Sequence, residues 1–215
     1  MIAGIFAGVA FGVGGYIFQT MLRNPLANPN VIGITAGSSA AAVFCIIVLQ
    51  ASNTVVSIAS VIGGLATVLV IYFLSKGSSF SIGRLILIGI GIQAMLTAVI
   101  NYLMLIGNTH DLPTAMRWLS GSLNGAKMEN LYPLIITVCI FAPIIIFFGK
   151  RLEMLELGEQ AATSLGVDTN KTRLILIISS VLIIALATAT TGPIAFVAFL
   201  SGPIAKRLVG VGFSN

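Results

Sequence analysis

Uncharged amides and hydroxyls make up most of what this chain offers to chemistry. Gln93, Thr97 and Asn101 follow Gly89 at intervals of four residues. At 3.6 residues per turn each step drifts only about 40°, so they draw one slowly winding polar strip along a helix. Amide side chains are costly against hydrocarbon, so the strip faces either a water-filled route or polar partners on neighbouring helices. Neither use makes or breaks a bond. Gln19 poses the same choice at the end of a row of glycines, Gly4, Gly8, Gly12 and Gly15, whose spacing suits close helix packing inside a bundle. Catalytic constellations are missing from the sequence: no Ser/His/Asp set, no HExxH and no P-loop occurs, which argues against an enzyme. His110 and Asp111 are adjacent, but one imidazole with one carboxylate is too small a set for a metal, and the pair reads as solvated loop. Cys45 and Cys139 lie inside apolar runs and read as small packing residues.

The elements that must position these residues are membrane helices. Of 215 residues, 57% are hydrophobic and only 8% charged, whereas a soluble domain carries roughly 25% charged residues. A hydrocarbon core takes about 20 apolar residues of helix. Six runs qualify, at 2–22, 31–49, 55–74, 85–106, 131–149 and 174–190. A seventh, at 194–208, is short, bounded by Pro193 and broken by Pro203. Continuous runs rather than alternation exclude a membrane barrel. The fold class is therefore all-α, a polytopic transmembrane bundle of about seven segments forming one domain over 1–215, with the fourth span, which carries the strip, at its centre.

Basic residues set the orientation. Nine of the eleven, Arg23, Lys76, Arg84, Lys150, Arg151, Lys171, Arg173, Lys206 and Arg207, fall on one set of alternate connectors, and only Arg117 and Lys127 on the other. This places Met1 outside and Asn215 inside. An outside start without a signal peptide leads us to expect a further span upstream of Met1. The net charge of +5 thereby belongs to loops at a membrane surface, not to a nucleic-acid interface. No Asp, Glu, Lys, Arg or His falls in the middle of a span, so a secondary transporter is disfavoured and energy must come from a partner.

The longest inside connector, 150–173, reads KRLEMLELGEQAATSLGVDTNKTR. Leu152 and Leu155, then Ala161, Ala162 and Leu165 beyond Gly158, recur at helical spacing. The pattern predicts two short helices joined at Gly158, with Gly166 ending the second. Glu153, Glu156 and Glu159 would be repelled by anionic headgroups, so this surface is expected to meet a protein rather than lipid. The opposite loop, 107–130, is the longest outside connector.

Ordered motifs give these pieces a family. RNPLANPNVIG at 23–33 with the following ITAGSSAA, RWLSGSLNGA at 117–126, LELGEQAATSLGV at 155–167 and TGPIAFVAFLSGPIAKRLVG at 191–210 resemble the FecCD-type permease subunits of ABC importers for iron-siderophore, haem and cobalamin. The resemblance covers essentially the whole chain. It implies an all-helical permease of about ten spans, working as a homodimer in the cell membrane with the pathway at the subunit interface. On that basis one helix before Met1 and two after Asn215 are expected. The resemblance assigns coupling to a cytoplasmic ATPase to Leu155, Gly158, Glu159, Ala162, Leu165 and Gly166, and a signature loop to Arg23, Asn24 and Pro25. Gln19, Gln93, Thr97 and Asn101 become candidates for lining or bracing the route, and Arg117 for docking an extracellular substrate-binding protein. No cofactor is expected on this chain, because ATP is bound by the partner ATPase. The 203–207 segment, PIAKR, lacks the histidine of the family's usual Pro-His-Ile-Ala-Arg ending. The alternatives are a self-contained secondary transporter or channel, or a remnant that transports nothing alone.

Overall fold

The computed structural model describes residues 1–25, 27–28, 33–75, 82–124 and 128–209, and every regular element among them is helical. The order is α1 (Ile2–Met21), α2 (Ile34–Ile47), α3 (Asn53–Ser75), α4 (Ile82–Ile106), α5 (Leu112–Ser120), α6 (Met128–Glu156), α7 (Glu159–Ser164), α8 (Thr169–Thr191) and α9 (Val197–Val209). Long apolar runs become helices because, in lipid, only a helix satisfies every backbone N–H and C=O within the segment. Lys76, Lys127 and Gly210 lie outside the described residues.

Five helices, α1, α3, α4, α6 and α8, are long and apolar enough to cross a membrane. The other two of the seven expected segments are shorter. α2 has 14 residues, about 21 Å of rise. Its start is set by Gly33 at φ 71, and the chain turns beyond its end at Gln50, φ 47; residues 31 and 32 of the expected run lie outside the described set. α9 has 13 residues and contains Pro203 within it, so the expected break at that proline does not occur. The expected first helix of the 150–173 connector is likewise not separate. α6 contains Pro133 and Pro143 and runs on unbroken to Glu156.

α8 is the axis of the bundle. Of its most apolar stretch 61% is buried, against 11% for α4. Phe18 on α1, Ile71 on α3, Leu134 on α6 and Leu176 and Ile184 on α8 share one core, each less than 2% exposed. A second cluster joins Val43 and Ile46 on α2 to Val56, Leu103 and Ala115 on α3, α4 and α5. Between lipid-facing helices such contacts stabilise through dispersion and close fit rather than through release of water. Small residues permit the fit. A β-carbon at Gly15 would collide with the Ala198 carbonyl of α9, one at Gly14 would lie 2.5 Å from Ile184 Cδ1, and one at Gly63 would lie 2.5 Å from Ala41 Cβ on α2. The glycine row of α1 is not a single contact face, however. Gly12 and Gly15 meet α9, whereas a β-carbon at Gly8 would have nothing within 4 Å.

The expectation that α4 is central is corrected here. Its main packing partners are α2 and α3, and Leu87, Ile90, Met95, Tyr102 and Leu105 all project from it exposed. Large apolar side chains dominate its surface, so within this chain α4 lies at the periphery.

Candidate functional site

The end of the bundle that carries α7 combines a tight turn, two helix caps and two ion pairs. α6 stops at Glu156, and the chain reverses through Gly158 at φ 123, a conformation that side chains with a β-carbon rarely adopt. α7 then runs for six residues and is closed by a Schellman arrangement. Val167 N–H donates to the Ala162 carbonyl at 3.0 Å and Gly166 N–H to the Thr163 carbonyl at 2.9 Å, with Gly166 at φ 80. Leu155, Ala162 and Val167 form a small buried cluster beneath. Asp168 begins α8 by accepting from the Lys171 N–H at 3.0 Å, a helix N-cap.

Of the residues expected to couple, Leu155 beneath α7 and Ala162 on its inner side are buried, whereas Glu159, Leu165 and Gly166 are exposed and Gly158 is half-buried. The expected surface therefore divides into a buried inner face that seats α7 and an exposed outer face. Cations surround the joint. Arg173 Nη1 and Nη2 approach Glu159 Oε2 at 3.3 and 3.4 Å, Arg23 Nη2 donates to the Leu155 carbonyl at 3.2 Å, and Lys206 Nζ pairs with Glu156 Oε1 at 3.3 Å. Lys206 also lies 5.4 Å from the Tyr16 ring centroid, within cation–π range. A recess of about 640 Å³ opens between Arg23, Gly158, Glu159 and Arg173. Asn24 and Pro25 continue from Arg23 as exposed turn residues, with the Asn24 N–H donating to the Gln19 carbonyl at 3.0 Å.

Gln19 and the α4 strip have separate locations. Gln19 is 5% exposed and donates Nε2 to the Phe199 carbonyl of α9 at 2.8 Å. On α4, Gly89 is buried and Gln93 half-buried, while Thr97 and Asn101 are exposed, and Thr97 Oγ1 donates back to the Gln93 carbonyl at 2.8 Å. The structure thus brings Gln19 to the α1–α9 contact and leaves the strip on an outer surface of this chain.

At the opposite end, 107–130 is more than a solvated loop. α5 occupies residues 112–120 with Pro113 in its first turn, a position where a missing N–H costs nothing. Gln50 Nε2 donates to Asp111 Oδ2 at 3.2 Å, and His110 and Arg117 are exposed. The Ser122 N–H donates to the Thr191 carbonyl at 2.6 Å. A β-carbon at Gly121 would lie 2.8 Å from the Pro193 carbonyl, and one at Gly192 2.5 Å from the Trp118 carbonyl. α5 is therefore seated, backbone to backbone, on the turn that follows α8. Among the described residues no group of three or more His, Cys, Asp or Glu side chains is arranged to hold a metal ion.

Sequence reasoning missed α5, although Leu112, Ala115 and Leu119 fall at i, i+3 and i+7 and Pro113 marks a helix start. It also missed the roles of Arg173, Glu156 and Lys206. Those pairs span 14 and 50 residues, and no local pattern announces them.

Comparison with known proteins places this architecture. Residues 1–215 match the FecCD transport family, and the chain belongs to it, as a multi-pass membrane protein. It is 35% identical over 209 residues to the ferric enterobactin transport system permease protein of Escherichia coli strain K12, covering 96% of this chain and 62% of the relative. It is 34% identical over 210 residues to the achromobactin transport system permease protein of Dickeya dadantii strain 3937, covering 97% and 60%. Against the vitamin B12 import system permease protein of Vibrio vulnificus strain CMCP6 it is 31% identical, covering 100% and 64%. The chain thus spans about three fifths of the length of these relatives. Among solved structures, an inward-facing conformation of a metal-chelate type ABC transporter superposes with a TM-score of 0.90 at 28% identity, covering 97% of this chain and 67% of that one.

Proposed function

We propose that this chain forms a membrane-spanning part of a permease subunit in an ATP-driven importer of metal chelates, with ferric siderophores foremost. The observation that carries this is the end-to-end match to the FecCD transport family, whose relatives here are named for ferric enterobactin, achromobactin and vitamin B12. The chemistry agrees with the role. Translocation needs a route and an energy source, not a nucleophile. In this proposal the α7 end faces the cytoplasm, where the exposed side of α7 fits a groove on the ATPase. ATP binding then shifts the assembly between inward-open and outward-open states through contacts that differ between them.

The α4 strip supports a second part of the proposal. Thr97 and Asn101 are exposed on this chain, and an amide facing lipid is unfavourable, so this side of α4 is assigned to the chelate route beside a second permease subunit. Arg117, exposed on α5, is assigned to docking the extracellular binding protein that delivers the chelate. The permease binds no cofactor of its own, because the nucleotide sits on the ATPase. Reconstitution tests the proposal. Permease, ATPase and binding protein in liposomes should take up a radiolabelled ferric siderophore only when ATP is enclosed with the ATPase. Uptake driven by an ion gradient without ATP would overturn it.

A further inference from the structure

The α7 joint is held by more than its apolar seat. α7 has six residues, too few for a helix to keep its direction unaided. Gly158, which with Leu157 connects it to α6, is the one type with the widest backbone freedom. Yet two guanidinium groups bracket this joint. Both Arg173 nitrogens reach Glu159 Oε2 from the start of α8. Arg23, itself in a left-handed conformation at φ 48, reaches the Leu155 carbonyl on the α6 side. Non-glycine residues seldom hold such a φ, and where they do the surroundings impose it.

We propose that Arg173 is the positioning residue of the coupling element, fixing the angle of α7 against α8 through Glu159, with Arg23 fixing the α6 side of the same joint. This rests on α7 being the segment that meets the ATPase. Burial is what makes the pair directional. The Arg173 side chain is 7% exposed and that of Glu159 54%, so the guanidinium is largely buried while the carboxylate reaches in from the surface. Parting a buried guanidinium from a carboxylate is unfavourable. Swinging α7 about Gly158 therefore strains the Glu159–Arg173 pair, which ties the start of α7 to α8. Leu155, Ala162 and Val167 seat α7 and the Gly166 and Val167 N–H groups close its end, while the charge pair adds a directional contact to α8 that non-directional apolar packing lacks.

Hydrogen exchange and transport together test this in the assembled permease–ATPase complex with its binding protein. Arg173→Gln and Glu159→Gln should each raise exchange of the amides of 159–165 about ten-fold while those of 176–188 stay unchanged. Each should also lower chelate transported per ATP hydrolysed several-fold, and Arg173→Lys should recover part of both. Glu159→Gln decides the matter where Arg173→Gln does not fold, because Glu159 is half exposed. Unchanged exchange of α7 in a folded variant overturns the proposal. Faster exchange with an unchanged transport-to-ATP ratio supports the positioning role and overturns instead the assignment of α7 to the ATPase.

Discussion

Gln19 Nε2 donates to the Phe199 carbonyl at 2.8 Å, and Phe199 stands four residues before Pro203. That carbonyl is the one whose helical donor a proline at 203 lacks. α1 therefore supplies the hydrogen bond that the sequence of α9 withholds, and α9 continues through its proline. Gly202 makes room for it, because a β-carbon there would meet Gln19 Oε1.

Replacing Gln19 with leucine keeps most of the volume and removes the donor. Leaving this part-buried carbonyl unsatisfied costs up to about 3 kcal/mol, so the thermal unfolding midpoint of Gln19→Leu in detergent should fall. The Pro203→Ala variant, which restores the internal donor, should recover much of the loss when combined with Gln19→Leu. Strict additivity of the two changes would dissociate Gln19 from Pro203.

Two glycines of the same row should respond oppositely. At Gly15 a β-carbon meets the Ala198 backbone, which cannot rotate away, whereas at Gly8 it meets nothing within 4 Å. Gly15→Val should lower stability by about 1–3 kcal/mol or more, as overpacking does. Gly8→Ala should be neutral or raise it by up to about 1 kcal/mol, because alanine favours helix. Parallel unfolding curves of the two variants decide this, and equal midpoints would contradict it.

At Gly166 the surroundings are open but φ is 80, so any effect of substitution there is conformational. A β-branched residue held in the left-handed region costs roughly 1–2 kcal/mol, whereas asparagine is tolerated at this helix position. Gly166→Val should reduce transport-linked ATPase activity in the assembled complex, and Gly166→Asn should retain most of it. Bulky residues at Gly158 should act like Gly166→Val. Normal coupling with normal assembly in these variants would overturn the proposed ATPase-facing role of the segment.

Cysteines report on the α4 strip. In a background without Cys45 and Cys139, Gln93→Cys, Thr97→Cys and Asn101→Cys should react with a membrane-impermeant thiol reagent in at least one nucleotide state of the complex. Leu87→Cys, on an apolar position that is 73% exposed, should stay unreactive in lipid. Protection at all three strip positions in every state would leave helix bracing as their role.

Membrane spans were legible because the bilayer imposes length and continuity on the sequence itself, and α1, α3, α4, α6 and α8 begin and end within several residues of the apolar runs. The α7 cap was legible for a related reason, since Gly166 has to follow Ser164 closely to close a helix there. Other features depend on partners that no local pattern names. Pro203 reads as a break until Gln19, 180 residues away in sequence, offers its donor. The strip at Gln93, Thr97 and Asn101 says that one side of α4 avoids lipid, but not whether the neighbour belongs to the same chain. Central placement of α4 was inferred from that strip, and the exposed apolar residues on its other sides outweigh it. Arg173 carried an orientation signal in the sequence, while its pairing with Glu159 emerges only when α7 folds back over α8.

α8 is fastened at both extremities. Near its start Arg173 grips Glu159 of α7, and at its last residue the Thr191 carbonyl holds the Ser122 N–H beyond α5. Its 23 residues make a strut about 35 Å long. Hydrogen-bonded helices resist stretching far better than loops do, so an axial displacement delivered at one fastening arrives at the other with little lost on the way. α8 thus links α7 at one face of the bundle to the α5–α6 connector at the other.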